Sequence, residues 1–296
     1  MSGLRLWFTA SRPRTLPAAI APVLVGTAAA VETSGGEIRW LAFAAALLGS
    51  IFIQIGTNLA NDYSDARRGA DTMDRLGPLR VTSAGLVAPR RVLLATWVAF
   101  GVSVLCGAYL IYVAGWVILA VGIASILAGV LYTGGPKPYG YAGLGEVFVF
   151  LFFGLVAVNG SYFVQLEELA WLPFGLSISI GLLSTAILVV NNLRDMETDR
   201  RAGKNTSAVR LGRTATRRVY LAMIAGAFIV LAASILILGG PWWALLALGS
   251  IPLAIRPCRT VVSRIDGPSL NGALADTGIA LGAFGLLCTA GLILAT

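Results

Sequence analysis

The chain has 296 residues, of which 57% are hydrophobic and 12% charged, with a net charge of +8 and a mean hydropathy of +0.82. Soluble domains carry about twice this fraction of charged residues, so the composition indicates a polytopic membrane protein. Histidine is absent, which removes the commonest transition-metal ligand and the usual neutral-pH base. The isolated cysteines Cys106, Cys258 and Cys288 predict neither a zinc site nor a disulfide framework.

Nine apolar runs are candidates for membrane-spanning helices, which need roughly 20 residues each. They lie at about 16–31, 40–61, 91–112, 115–133, 144–163, 171–192, 218–238, 241–255 and 272–294. We therefore expect an all-α bundle of nine spans in a single transmembrane domain, residues 1–296.

The distribution of charge predicts the orientation of the bundle. Of the 22 Lys and Arg residues, all except Arg39 fall in the N-terminus or in the loops after spans two, four, six and eight. By the positive-inside rule this face is cytoplasmic. We expect a multi-pass protein of the plasma membrane with a cytoplasmic N-terminus and an outside C-terminus, and no nucleic-acid partner.

Two acidic stretches end the second and sixth predicted spans on the cytoplasmic face. The first, NLANDYSDARRGAD at 58–71, contains Asp62, Asp65 and Asp71; the second, NNLRDMETDRRAGKN at 191–205, contains Asp195, Glu197 and Asp199. Each continues through paired arginines and a glycine to Thr-Ser. This correspondence indicates an internal repeat of a four-helix unit, about 16–133 and 144–255.

Helical spacing gathers the oxygen atoms of each stretch. Positions i, i+3, i+4 and i+7 share a face of a helix, so Asp62 and Asp65 line up with Asn58 and Asn61, and Asp195 and Asp199 line up with Asn192. A break of the first helix at Gly69 would let Asp71 fold back toward the same site. Glu197 lies off this face and ranks below the aspartates. Crowded carboxylates at a membrane interface repel each other and resist desolvation. A divalent cation that accepts oxygen ligands, Mg²⁺, Mn²⁺ or Ca²⁺, relieves both effects.

Basic residues close to the acids suit phosphate oxygens. The candidates are Arg67, Arg68, Arg80, Lys137, Arg200, Arg201, Lys204 and Arg210. Topology signals and lipid contacts are the alternative role for any one of them. Together with the acids and the apolar bundle, they favour a diphosphate with an apolar tail as the ligand.

The loop YTGGPKPYGYAGLGE at 132–146 joins spans four and five on the same face. Its Gly and Pro content is typical of a shaped loop. Its tyrosines either anchor the loop at the interface or present aromatic faces that stabilise a cation.

The motifs resemble those of a known family. NDYSDARRGAD resembles the first aspartate-rich motif of the UbiA superfamily of membrane prenyltransferases, and RDMETD resembles the second. The stretches 12–26, 58–86, 132–165 and 191–212 look like the 1,4-dihydroxy-2-naphthoate polyprenyltransferases of menaquinone synthesis. The resemblance covers most of residues 7–213, and YTGGP…YFVQ is its most specific part.

The resemblance implies a central cavity and Mg²⁺-dependent transfer of a polyprenyl group from its diphosphate to 1,4-dihydroxy-2-naphthoate, with loss of CO₂ to give demethylmenaquinol. It implies one Mg²⁺ on Asp62, Asp65 and Asp71 and another on Asp195 and Asp199, with Glu197 as the alternative to Asp199. The candidate diphosphate-binding residues are Asn58, Asn61, Arg67, Arg80, Asn192, Arg200 and Lys204.

Lys137 and Tyr139 are the candidate catalytic residues, and Arg12 and Lys137 are the two candidates for holding the acceptor's carboxylate. The group that receives the ring's proton or CO₂ stays open among a carboxylate, a tyrosine, water and the diphosphate.

Three other functions compete with this hypothesis. A related prenyltransferase would use 4-hydroxybenzoate or homogentisate as acceptor, which the 132–165 stretch disfavours. A CDP-alcohol phosphotransferase would concentrate its acids in one stretch. A cation-coupled transporter would place ionisable residues at mid-membrane, where the sequence offers only Asp276.

Overall fold

The computed structural model describes residues 3–69, 76–77 and 80–296, and its regular structure is helical throughout these ranges. The helices are α1 (Gly3–Ala10), α2 (Pro17–Thr33), α3 (Trp40–Arg67), α4 (Pro89–Ala114), α5 (Trp116–Leu131), α6 (Gly145–Val149), α7 (Ala157–Leu166), α8 (Trp171–Arg201), α9 (Ser207–Leu238), α10 (Ile251–Ser263) and α11 (Gly267–Ile293). A π-helical segment, Phe150–Val156, joins α6 to α7, and 3₁₀ segments at Pro13–Thr15 and Trp242–Ser250 precede α2 and α10.

The expected all-α membrane bundle is confirmed, but the count of nine spans is slightly too high. Within the described ranges, seven helices are long and apolar enough to cross a membrane, and the pair Arg5–Thr15 and Pro17–Thr33, bent by 56°, makes an eighth. The remaining predicted span is α5, which has 16 residues and rises about 24 Å against a hydrocarbon core of about 30 Å. Hydropathy does not reveal this, because apolar residues continue past the points where the chain turns.

Helix α8 is the centre of the bundle. In its most apolar window 78% of residues are buried inside the protein, against 22% in α3. It packs against α9, α11, α2 and the π-helical segment. At the last of these contacts a Cβ atom on Gly154 would lie 2.6 Å from the Cα of Gly181, so small residues permit the close approach, as is common between membrane helices. The acidic end of α8 is thereby held in the middle of the molecule.

Candidate active site

A cavity of about 500 Å³ lies between α2, α3, α4, α5, α8 and the segment 145–166. This volume is in the range of small-molecule sites. Along α3 its wall changes from Ala46 and Ile53 at one end to Asn61 and Asp65 at the other. The cavity therefore has a long apolar part and a polar end. The ionisable residues that line it are Arg12, Asp65, Arg80, Tyr132, Tyr139, Tyr141, Asp195, Asp199 and Lys204.

Asp65 is the more enclosed of the two described carboxylates in the first acidic stretch, with 1% of its surface exposed against 3% for Asp62. Its Oδ2 lies 2.7 Å from Nη2 of Arg80 and 3.2 Å from Nζ of Lys204. Its Oδ1 accepts a 2.6 Å hydrogen bond from the hydroxyl of Tyr141. Charge-assisted contacts of this kind compensate for the desolvation of a buried carboxylate. Asp65 thus joins the end of α3 to three loops that come from distant parts of the chain.

Asp62 has a different environment, although it is one helical turn from Asp65. Its two carboxylate oxygens accept hydrogen bonds from the backbone N–H groups of Val81 and Thr82, at 3.0 and 3.1 Å. The Asp62 side chain is buried but is not part of the cavity lining. In this arrangement it fastens the loop before α4 to α3, and its predicted role as a metal ligand stays a prediction.

Asp195, in the second stretch, is held by its neighbour in the chain. The guanidinium of Arg194 donates from Nε to Oδ1 at 2.8 Å and from Nη2 to Oδ2 at 2.5 Å. Arg194 also donates to the side-chain oxygens of Asn191, at 2.9 Å, and Asn271, at 2.7 Å. Its side chain is 0% exposed. A buried arginine therefore sets the position of Asp195 and connects α8 to α11, while Asp199, one turn further on, is half-buried in the cavity wall.

The predicted asparagines line the cavity and brace its walls. Asn61 Oδ1 accepts a 2.8 Å hydrogen bond from Thr133, and Asn58 donates to Ser11 O at 3.1 Å. Asn192 donates to Oε1 of Glu146 at 2.8 Å. Each bond connects a helix that carries an acidic stretch to another segment.

The tyrosines of the loop 132–144 face the polar end of the cavity. Tyr139 stacks on Phe148, with ring centroids 3.9 Å apart, and its hydroxyl donates to the backbone oxygen of Ala128. The Tyr141 ring lies 4.6 Å from Nζ of Lys204, within the range of a cation–π contact.

Both phenols are held in the protonated form. Burial raises the pKa of Tyr139 above its ordinary value. Burial also raises the pKa of Tyr141, and the Asp65 carboxylate adds to the effect. Since both phenols stay protonated near neutral pH, they serve as hydrogen-bond donors and aromatic surfaces, not as bases.

Several predicted residues lie away from this constellation. Lys137 is exposed and is not part of the cavity lining. Arg67 is exposed and donates to the Tyr63 hydroxyl. Arg200 is exposed and pairs with Glu197 at 2.9 Å. Asp71 lies outside the described residues.

Sequence reasoning missed two functional contacts of this site. It counted Arg194 only among the basic residues that indicate membrane orientation. It considered Tyr141 only together with the other tyrosines of the loop 132–146, with no specific contact to Asp65. Neither the burial of Arg194 nor the distance from Tyr141 to Asp65 has a local signature, because each depends on a partner more than 70 residues away. The single available signal was the position of Arg194 inside the acidic stretch.

The chemistry of the polar end fits a hard divalent cation. Asp65, Asp195 and Asp199 present carboxylate oxygens to one cavity, and Mg²⁺ typically uses one or two carboxylates together with substrate phosphates. Among the described residues, no three acidic or cysteine side chains form a ready-made metal-binding group. The arrangement therefore suits a cation that arrives with a phosphate ligand and not one caged by protein alone.

The fold and the site together define a class: a polytopic helical membrane protein whose cavity has a charged polar end and a long apolar part. The chain matches the UbiA prenyltransferase family over residues 19–277, and it belongs to that family. The family predicted from the two motifs is thus confirmed.

Relatives cover nearly the whole chain. It is 43% identical to a 1,4-dihydroxy-2-naphthoate octaprenyltransferase of Mycobacterium tuberculosis, over 95% of this chain and 94% of the relative. It is 37% identical to the Escherichia coli protein of the same name, over 94% and 91%. A solved structure of a UbiA homolog from Archaeoglobus fulgidus bound to DMAPP and Mg²⁺ is 17% identical and covers 97% of this chain and 98% of its own, with a TM-score of 0.68. The structural likeness shows that the fold is shared.

Proposed function

We propose that this protein transfers a polyprenyl group from a polyprenyl diphosphate to 1,4-dihydroxy-2-naphthoate, with loss of CO₂, as a step of menaquinone biosynthesis. The observation that carries the proposal is the similarity to proteins named for this activity over at least nine-tenths of both chains. The cavity supports it independently, because its polar end suits a diphosphate and its apolar part suits a prenyl chain.

The polar end can bind and neutralise the diphosphate. Arg80 and Lys204, now paired with Asp65, present the charge-assisted donors that phosphate oxygens prefer. Thr206 adds a buried hydroxyl that has no hydrogen-bond partner among the described residues. We assign these three side chains to the departing diphosphate, whose growing charge they stabilise in a water-poor site.

Asp65, Asp195 and Asp199 are the residues that would hold Mg²⁺ in this cavity. When bound, the metal supplies positive charge against the leaving diphosphate. The A. fulgidus homolog, with its DMAPP and Mg²⁺, supports a divalent cation in this role. The predicted contributions of Asp62 and Asp71 belong to the same proposal.

The aromatic residues protect the allylic centre. As the C–O bond to the diphosphate breaks, positive charge develops on the prenyl carbon, and the stacked rings of Tyr139 and Phe148 offer π faces to a cation. The apolar walls exclude water from this centre.

The transfer requires no general base when the new bond forms at the ring carbon that carries the carboxylate. The ring's electron pair forms the bond to the prenyl carbon. The bond to the carboxylate carbon then breaks, CO₂ leaves, and its electrons restore the ring. The charges of the carboxylate and the prenyl diphosphate end on the released diphosphate. This route fits a chain without histidine whose cavity tyrosines stay protonated.

The same proposal includes the orientation. Basic residues cluster around the acidic ends of α3 and α8, which line the same cavity, so we place these ends on the cytoplasmic side of the plasma membrane. Both the diphosphate and the naphthoate would reach the site from the cytoplasm.

The test uses membranes that contain the protein, radiolabelled polyprenyl diphosphate and Mg²⁺, with and without EDTA. We expect a lipophilic prenylated quinol product only when 1,4-dihydroxy-2-naphthoate and metal are both present. Product with 4-hydroxybenzoate or homogentisate in its place would retain the reaction class and overturn the acceptor assignment.

A further inference from the structure

Arg12 occupies an unusual backbone conformation at the rim between α1 and α2. Its φ of 53° and ψ of 66° place it in the left-handed region. Among the described residues it shares a positive φ with only one other non-glycine residue, Glu167. Such conformations are costly for residues with a side chain and tend to persist where function needs them. In this protein the turn lets the Arg12 side chain line the cavity.

A polar corner surrounds this turn. Thr15 Oγ1 donates to the backbone oxygen of Arg12 at 3.0 Å and accepts from Gln54 at 3.0 Å and from Asn58 at 3.2 Å. All four residues line the cavity. On α3, Gln54 lies three helical turns from Asp65, a separation of roughly 16 Å. Asn58, also in the corner, is seven residues from Asp65, roughly 10 Å along the helix. The corner therefore begins beside the diphosphate end and extends away from it toward Gln54.

The wall formed by α8 carries a polar side chain at about the same distance from the acidic helix end as Gln54 on α3. Ser184 lies three turns, again roughly 16 Å, before Asp195. It lines the cavity, is 2% exposed, and its hydroxyl has no hydrogen-bond partner among the described residues. By contrast, the cavity serines Ser103 and Ser125 donate to carbonyls of their own helices. A buried hydroxyl without a partner is costly unless a ligand supplies one.

The geometry points to a binding subsite for the aromatic acceptor between the corner at Arg12 and the α8 wall at Ser184. Arg12 binds the acceptor's carboxylate, and Ser184 hydrogen-bonds one of its phenolic hydroxyls. The inference rests on the proposed function and deepens it, because it places the acceptor. It also decides between the two predicted carboxylate-binding residues, since Lys137 is exposed outside the cavity.

Electrostatics and shape support this division of the cavity. Arg12 is half-buried in the cavity wall, and a guanidinium matches a carboxylate in two parallel hydrogen bonds. The wall from α5 offers Leu119, Ile123 and Ile126 to the prenyl chain. The acceptor and the chain would thus lie against different walls and meet at the polar end.

The test compares Arg12→Gly with Arg14→Gln. Glycine adopts the left-handed conformation readily, so Arg12→Gly removes the guanidinium without straining the turn. Arg14 is exposed in the same turn and is not part of the cavity lining. Both variants are purified in detergent and compared with wild type for thermal stability, KM for each substrate, and equilibrium binding of 1-hydroxy-2-naphthoate by calorimetry.

We expect Arg12→Gly to raise the acceptor KM and the dissociation constant of 1-hydroxy-2-naphthoate by about 10- to 100-fold, the range for one charged hydrogen-bonding partner. The KM for the prenyl diphosphate should stay within about twofold, and Arg12→Lys should recover part of the loss. With 1,4-dihydroxynaphthalene, which lacks the carboxylate and loses a ring proton to water or the released diphosphate instead of CO₂, Arg12→Gly should match wild type. Ser184→Ala should weaken both acceptors by about tenfold.

An equal loss with both acceptors, or a change confined to the prenyl diphosphate KM, would overturn the assignment of Arg12. Wild-type protein that makes no product from 1,4-dihydroxy-2-naphthoate would contradict the proposed function. In that event binding of 1-hydroxy-2-naphthoate still tests the subsite, and unchanged binding by Arg12→Gly would overturn it.

Discussion

The two acidic helix ends look alike in sequence and differ in how they are held. The end of α3 is on a helix with 22% of its most apolar window buried inside the protein. Its described carboxylates are fixed by contacts from loops: Asp62 by backbone N–H groups and Asp65 by Arg80, Lys204 and Tyr141. The end of α8 lies in the centre of the bundle, and Asp195 is held by its own neighbour Arg194. The described carboxylates at the end of α3 are therefore held by residues of other segments, whereas Asp195 is held by a residue of its own helix.

The difference shows what each arrangement allows. An aspartate held by side chains from several loops can exchange those partners when a ligand brings its own charges. Asp195 is held by the adjacent Arg194, which is itself fixed by two asparagines. An aspartate held in this way keeps its position when a ligand binds. We infer that the α3 end adapts to the substrate and that the α8 end acts as the fixed reference.

Loss of a cavity carboxylate should have the largest effect. We expect Asp65→Asn and Asp195→Asn each to lower kcat/KM by at least about 10³-fold, since each removes charge from the site that neutralises the diphosphate. Formation of the prenylated quinol in membranes with matched protein amounts measures this. The control is Glu197→Gln, which changes an exposed carboxylate. Near-normal turnover by Asp195→Asn would remove it from the metal site.

Breaking the Arg194–Asp195 ion pair within α8 should have the next largest effect. Arg194→Gln removes the guanidinium that pairs with the buried Asp195. Loss of one partner of a buried pair costs about 3–5 kcal/mol, or a fall in Tm of about 6 °C or more. Arg200→Gln breaks an exposed pair and should cost less than about 1 kcal/mol. Thermal unfolding in detergent distinguishes the two, and equal Tm values would contradict the fixed-reference role of Arg194.

Asp62→Asn tests whether this residue fastens a loop. The substitution replaces one acceptor oxygen with a donor, so a hydrogen bond to Val81 or Thr82 is lost, at a cost of about 1–3 kcal/mol. Hydrogen–deuterium exchange should show faster exchange at the backbone N–H groups of residues 81 and 82. If exchange there is unchanged while Mg²⁺ activation weakens, Asp62 is a ligand and not a loop anchor.

Tyr141→Phe removes the hydrogen bond to Asp65 and keeps the ring beside Lys204. We expect kcat/KM to fall by about tenfold, the loss of one hydrogen bond to a charged group. In the wild type, burial and the Asp65 carboxylate raise the pKa of Tyr141. The donor form therefore persists to higher pH than an ordinary phenol, and the pH profile of the wild type should show no loss from this group below about pH 10. A basic limb that appears in wild type and disappears in Tyr141→Phe would contradict this.

Lys137→Gln should have the smallest effect. Because Lys137 is exposed outside the cavity, we expect kcat and both KM values to stay within about twofold of wild type. The matched substitution Lys204→Gln, at a buried lysine that contacts Asp65, should reduce activity far more. A comparable loss in both variants would restore Lys137 to the site and imply that its loop closes over the cavity.

The sequence by itself determined the membrane class, the helical architecture, the pair of acidic helix ends and the family. These features depend on local properties: apolar runs of spanning length, helical spacing of aspartates, and charge on the loops. The length of α5 was not among them, since hydropathy does not show where a helix turns into a loop.

Only the tertiary structure decided which of the candidate side chains meet. Asp62 and Asp65 are one turn apart and equally acidic, yet the loop before α4 engages both oxygens of the first, while the second lines the cavity. Arg194 differs from the neighbouring arginines only by being buried beside Asn271, and Arg12 reaches the cavity through a left-handed turn. Such roles arise from contacts between distant segments. The strength of those contacts depends on how deeply the residues are buried, and burial is set by the packing of the whole bundle and not by any one stretch of sequence.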